Sequence, residues 1–147
     1  MKTDWTSDTK GTGQYAEVNG IKLYYESHGA GRPLILLHGG LGSGEMFGPI
    51  LPMLAERHQV ITVDLQGHGR TADIDRPLDV RLMAGDIAAL IDHLALAKPD
   101  VVGYSLGGGV ARRQPCGTRR RSAGLSSLQR TRGPTQSTPR CGRSRAR

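Results

Sequence analysis

The sequence predicts an α/β fold: an antiparallel hairpin followed by parallel strands with flanking helices, ending in an Arg-rich tail. Three observations predict it. Continuous apolar runs at residues 34–37, 60–63 and 101–104 each leave through a Gly-containing turn, as expected of strands covered on both faces. Between them lie stretches with helical periodicity, and strand alternating with helix is the pattern of a parallel sheet built by crossovers. The charge is also divided. Residues 1–111 carry 9 Lys and Arg against 13 Asp and Glu, net −4, whereas residues 112–147 carry 11 Arg and no acid, net +11. The whole-chain value of +7 therefore averages two unlike compositions.

In chain order, residues 1–14 mix Thr, Asp, Lys and Gly without periodicity and are expected to be a flexible lead-in. Residues 15–111 form the globular part. Residues 15–18 and 21–25 alternate around Asn19-Gly20, a pair that tolerates positive φ at both centres of a type I′ turn, so a hairpin is expected. After the break at residues 29–33, residues 34–37 are expected as an inner strand. A helix is expected over 46–56, then the strand at 60–63. A second helix is expected over 78–96, where Val80, Met83, Ile87, Leu90, Ile91 and Leu94 recur at spacings of three and four. Arg81, Asp86 and Asp92 are expected off that apolar face.

Residues 112–147 contain all the Arg excess, no Ile, Val, Met or aromatic residue, and Pro115 where the last helix would continue. Such a segment buries too little to offset its backbone entropy and is expected to be disordered. With nothing beyond it, the strand at 101–104 is expected to be a bare sheet edge. An out-of-frame origin in GC-rich coding sequence accounts for the composition. Read from the third base of each codon, Arg121-Ser122, Leu125-Ser126 and Ser126-Ser127 admit NTC codons, which encode only Phe, Leu, Ile or Val. The functional alternative is a basic arm whose guanidinium groups neutralise phosphates, giving non-specific, salt-sensitive binding to nucleic acid. It lacks aromatic residues for base stacking.

Several classes are excluded by simpler features. The longest apolar run falls far short of the ~20 residues that cross a bilayer, and the first residues do not resemble a secretory signal. Cys116 and Cys141 have no partners at metal-ligand spacing, so neither a metal site nor a disulfide framework is expected. The expectation is a soluble cytoplasmic protein without cofactor or membrane contact; its oligomeric state is not legible.

Gly103-Tyr104-Ser105-Leu106-Gly107 directly follows an expected strand and opens into a helix-compatible run. A serine on such a sharp strand-to-helix turn sits in strained backbone, and the residues two before and two after must be small for the chains to pass. The helix start would aim N–H groups at an oxyanion forming on the serine's substrate. His38-Gly39-Gly40-Leu41-Gly42 follows the strand at 34–37, and Asp64-Leu65-Gln66-Gly67-His68-Gly69-Arg70-Thr71 follows that at 60–63.

With these three motifs in this order, residues 15–111 resemble the N-terminal part of the α/β-hydrolase family, most closely its small ester, lactone and proline-releasing peptide hydrolases. The resemblance implies Ser105 as nucleophile and a small-molecule substrate. It implies an oxyanion hole from the backbone N–H of Leu106 and that of Gly40, with Leu41 as alternative to Gly40. His38, His68 and Asp64 are implied as loop-structuring groups. Apart from the resemblance, His28 falls at an expected strand end, His58 at a helix end and His93 in a helical stretch, and nothing in the sequence marks them as more than solvated or satisfied side chains. The family places its acid and its His after the serine, but this chain has no Asp, Glu or His after Ser105. The triad is therefore incomplete and the chain is expected to be inactive. A non-catalytic half-fold that binds a partner is the alternative.

Overall fold

The computed structural model describes residues 12–114 and 119–123, with side chains over residues 13–114. Six strands form one mixed sheet. The strands are β1 (Thr12–Val18), β2 (Ile21–His28), β3 (Arg32–Leu37), β4 (His58–Val63), β5 (Asp100–Tyr104) and β6 (Arg119–Ala123), in the order β1-β2-β4-β3-β5-β6. A 3-10 helix (Gly44–Ile50) runs into α1 (Leu51–Ala55), α2 (Val80–His93) joins β4 to β5, and α3 (Leu106–Ala111) follows β5.

The hairpin turns as its sequence requires, with Asn19 at φ 49° and Gly20 at φ 79°. Its first strand begins at Thr12, so residues 12–14, expected in the lead-in, are ordered by pairing with residues 25–27. Gly13 permits this. A Cβ there would lie 2.7 Å from Cζ of Tyr24. Residues 1–11 of the expected lead-in lie outside the described residues.

β2 pairs antiparallel with β4, whereas β4, β3 and β5 run parallel, which makes β3 the inner strand its unbroken apolar run predicts. Alternate residues separate two cores. Ile35 and Leu37, with Ile61, Val63 and Val101, pack under Met83, Ile87, Leu90 and Ile91 of α2 and Val110 of α3. On the other face Leu34, Leu36 and Val60 meet Phe47 and Leu51.

The helix expected over 46–56 is instead the 3-10 helix followed by the five residues of α1. Pro49 and Pro52 each lack an amide donor, which prevents one continuous α-helical ladder there. α2 is shorter than its apolar periodicity. Asp79 caps it by accepting from Arg81 N at 2.6 Å, and Ala95 at φ 51° reverses the chain beyond it.

Asp86 departs from its expected place off the apolar face of α2. It is 1% exposed, accepts from Asn19 Nδ2 at 3.1 Å, and pairs with the guanidinium of Arg76, which in turn donates from Nε to Gln66 Oε1 at 2.7 Å. Helical periodicity cannot place a carboxylate whose partner arrives from a loop ten residues earlier.

The C-terminal side of β5 also differs from expectation. β6 pairs with β5 in parallel, Asp100 against Arg119 through Tyr104 against Ala123, so β5 is covered rather than bare. The unpaired N–H and C=O row of β5 accepts any extended backbone, whatever its side chains, which composition alone does not reveal. Residues 112–114 continue α3 as a turn, with Gln114 buried. The remainder of the expected tail, including Cys116 and Cys141, lies outside the described residues. Among those described, no helix is long and apolar enough to cross a membrane.

Candidate active site around Ser105

β3 and β5 are neighbours whose exits diverge. The chain leaving β3 turns to the 3-10 helix and α1 on one face, and the chain leaving β5 turns to α3 on the other. Such a divergence opens a crevice at the carboxyl ends of the two strands, where parallel sheets bind ligands. The His38-Gly39-Gly40-Leu41 loop and Ser105 both lie there.

Ser105 stands exposed between β5 and α3 at φ 50°, ψ −111°, a region few non-glycine residues enter. The two flanking glycines are enforced by packing. A Cβ on Gly103 would fall onto the Gly107 carbonyl and reach Gly108 N at 2.5 Å. A Cβ on Gly107 would strike Leu37 O and lie 2.6 Å from His38 O. That close approach is used: Gly107 N donates to His38 O at 3.0 Å and ties the start of α3 to the end of β3.

The loop after β3 is a tight turn closed by Gly42 N donating to Gly39 O at 3.2 Å. Gly39 packs against the neighbours of the elbow, since a Cβ there would lie 2.8 Å from Cδ1 of Tyr104 and 3.4 Å from Cβ of Ser105. Gly40 and Leu41 form the tip. Space around Gly40 is open on the side a Cβ would occupy, and Leu41, at φ 63°, is wholly exposed.

His38 is fully buried, with both ring nitrogens engaged. Nε2 accepts from Leu65 N at 3.0 Å, which leaves the proton on Nδ1 to be donated to Gly39 O at 2.7 Å. Burial holds its pKa below the ordinary 6.5. One ring thus joins the loop after β3 to the loop after β4. His68 lies beside it, ring centroids 5.1 Å apart, with Nδ1 2.8 Å from Gln66 O.

Asp64 is 2% exposed and binds two loops at once, accepting from Gly44 N at 2.6 Å and Arg70 N at 2.8 Å. A Cβ on Gly69 would sit 2.5 Å from Cγ of Asp64, and Gly69 holds φ 53°, so glycine is needed there twice over. Both carboxylate oxygens are committed to backbone donors.

Among the other histidines, His28 is buried with Nε2 3.3 Å from Glu26 Oε2, and His93 is exposed at the end of α2. His58 opens β4 instead of ending a helix, with Nδ1 3.3 Å from Leu54 O. Two residues of the Asp64 loop were given no role from the sequence. Thr71 Oγ1 accepts from Tyr24 N at 2.9 Å and fastens the end of the Asp64 loop to β2. Gln66 places its amide on Asp73 and Arg76, which fixes the following segment. Neither stands at a spacing that marks it.

Residues 32–113 match the alpha/beta hydrolase fold family, and the chain belongs to it. A soluble epoxide hydrolase of Corynebacterium sp. (strain C12) is 40% identical over 70% of this chain and 36% of its own length. A non-heme haloperoxidase of Rhodococcus erythropolis is 36% identical over 62% of this chain and 34% of its own. Among solved structures, the epoxide hydrolase CorEH superposes with a TM-score of 0.67 at 38% identity, covering 69% of this chain and 36% of that one. An N-acyl homoserine lactone degrading enzyme, Est816, superposes at 0.66 with 30% identity, covering 74% and 42%. The chain spans about a third of the length of the curated relatives it matches.

Proposed function

We propose that Ser105 is the nucleophile of a hydrolytic centre for small esters, lactones or amides, and that this chain holds the nucleophile half of that centre. The strained, exposed elbow of Ser105 between two glycines that cannot bear a Cβ carries the proposal. A hydroxyl so placed attacks a carbonyl carbon, and the oxygen that gains charge lies toward the N–H of Leu106 and of Gly40. Gly107 N–H is taken by His38 O, which favours Leu106 as the donor from α3. The open space at Gly40 favours it over the protruding Leu41 as the donor from the β3 loop. The name of the lactone-degrading Est816 supports an acyl substrate, since a serine forms an ester with an acyl group.

Proton transfer is the missing step. His38 has no free lone pair, Asp64 has both oxygens engaged, and no Asp, Glu or His follows Ser105. Ser105 can be acylated slowly by activated reagents, but a base to take its proton and activate water is lacking. His38 and Asp64 are committed to the loops they hold, and His68, with Nδ1 2.8 Å from Gln66 O, is read as a loop group as well.

The test has two arms. Turnover of a nitrophenyl acetate by the full chain should not exceed that of Ser105→Ala. A fluorophosphonate reagent should nonetheless label Ser105 faster than any other serine, as read by peptide mass spectrometry. Uniform labelling of the serines would overturn the nucleophile assignment, and Ser105-dependent turnover of about 1 per second or more would overturn the missing base.

A further inference from the structure

Three segments around Ser105 meet on one residue. The His38 carbonyl accepts from Gly107 N at 3.0 Å, its Nδ1–H donates to Gly39 O at 2.7 Å, and its Nε2 accepts from Leu65 N at 3.0 Å. These bonds hold the start of α3, the turn that carries Gly40, and the loop after β4. Gly39 O also takes the bond that closes the turn, from Gly42 N, so the ring and the turn share one acceptor. The ring needs a proton on Nδ1 and a lone pair on Nε2, and only one neutral tautomer supplies both.

A second ring proton does not fit this arrangement. On Nε2 it would face the Leu65 N–H, donor against donor, at a position with no exposed surface. Burial opposes that proton most, the bond to Gly39 O favours it, a charge on His68 opposes it and the Asp64 carboxylate favours it, with the net displacement below 6.5. His68 lies 5.1 Å away, ring to ring. Among the described residues, 39–42 and α3 carry no ionisable side chain, β5 brings Tyr104, whose ring lies against Gly39, and Arg70 and Glu45 are paired with each other at 2.8 Å. Protonation therefore requires the ring to leave Leu65 N. The strands are clasped by apolar residues on both faces, so the sheet need not open with the ring.

We propose that His38 is an acid-operated latch on this site: one proton taken up by its ring releases the 39–42 turn from the loop after β4, displaces the Gly40 N–H, and slows acylation of Ser105 while the sheet stays folded. The latch rests on the reading of Ser105 as nucleophile and Gly40 as oxyanion donor. His38 acts through Gly40 and is a positioning residue.

The experiment follows the full chain from pH 7.5 to 4.5. Fluorophosphonate labelling of Ser105, read by peptide mass spectrometry, is compared at each pH with that of His38→Gln, whose amide oxygen can accept from Leu65 N without titrating. The ratio of the two rates cancels the reagent's own pH dependence. It should fall at least about tenfold on acidification and return on neutralisation, with far-ultraviolet circular dichroism unchanged. In His68→Gln the fall should persist with its midpoint at higher pH, since an opposing charge has gone. Hydrogen exchange reads the same event without substitution: protection of the Leu65 amide should drop at least about tenfold while the most protected amides of β3 and β4 keep theirs. A Leu65 amide protected throughout would overturn the latch, as would disappearance of the fall in His68→Gln or loss of the circular dichroism signal together with labelling. Labelling without preference for Ser105 at pH 7.5 would overturn the Ser105 reading and the latch with it. Preferential labelling with a constant ratio would overturn the latch alone.

Discussion

His38 is worth more to the fold as a connector than its position in a glycine loop suggests. Its Nε2 holds the Leu65 amide and its Nδ1–H holds the Gly39 carbonyl, so the imidazole must stay neutral to serve both. Protonation would turn the acceptor into a donor facing Leu65 N–H. Because burial lowers the folded pKa below 6.5, the unfolded chain binds the proton more readily between those two values. The His38 contribution is therefore complete above pH 6.5 and is lost as pH falls toward the depressed folded value. Urea titrations at pH 7.5, 6 and 5 should show that loss, and a His38→Asn variant should lack that part of the pH dependence. His38→Leu should be destabilised by about 1–3 kcal/mol at pH 7.5, since the Leu65 amide is then buried without its acceptor.

At the scale of elements, α3 is a helix that its sequence alone would not sustain. Three consecutive glycines, Gly107, Gly108 and Gly109, each cost about 1 kcal/mol relative to Ala in a helix interior. Contacts decide which of them can change. Gly107→Ala and Gly103→Ala place a methyl on backbone carbonyls, and each should lower stability by about 3 kcal/mol and displace the Ser105 elbow. At Gly109, among the described residues, the added carbon meets the methyls of Val80, Cγ1 at 3.4 Å and Cγ2 at 4.0 Å, so Gly109→Ala should be neutral or stabilise by about 0.5–1 kcal/mol. Denaturant midpoints would separate the two outcomes. The elbow was legible in the sequence because its constraint is local: a fixed spacing of Gly, Ser and Gly after an apolar strand. Asp64 was legible for the same reason, through the glycine loop it organises. Asp86 was not, since hydropathy assigns a carboxylate to the wet face of α2 and says nothing of Arg76 approaching from a loop. That pair gives a sharp expectation. Arg76→Ala should cost about 3–5 kcal/mol by leaving the Asp86 carboxylate buried and unpaired, while Arg76→Met with Asp86→Leu should recover most of it. A double-mutant cycle measures the difference, and additive single effects would refute the coupling.

Across the whole molecule the sheet is unevenly covered. Among the described residues, eighteen buried ones make the core on the face of α2 and α3, against five on the face of the 3-10 helix and α1, so the second face is the weaker one of the described sheet. The sequence misrepresented this imbalance. An unbroken helix over 46–56 would have covered that face with one long apolar stripe, whereas Pro49 and Pro52 divide it into two short elements joined at Ile50. Short elements with few buried anchors open before the rest of a domain. Amides of the 3-10 helix and α1 should accordingly exchange through a partial opening, at least about 1–2 kcal/mol below the opening energy of β3 and β4. Single substitutions can establish that the two faces are separate units. Phe47→Ala, which empties the anchor of the weaker face, should speed exchange in residues 44–55 and leave the most protected amides of β3 and β4 nearly unchanged. Ile87→Ala, at a fully buried position of α2, should lower protection everywhere by about 2–5 kcal/mol, because that core spans β1 through β5 and its loss is felt in global unfolding. Uniform protection in the unmodified chain, or an equal loss across all elements in Phe47→Ala, would show instead that both faces unfold as one.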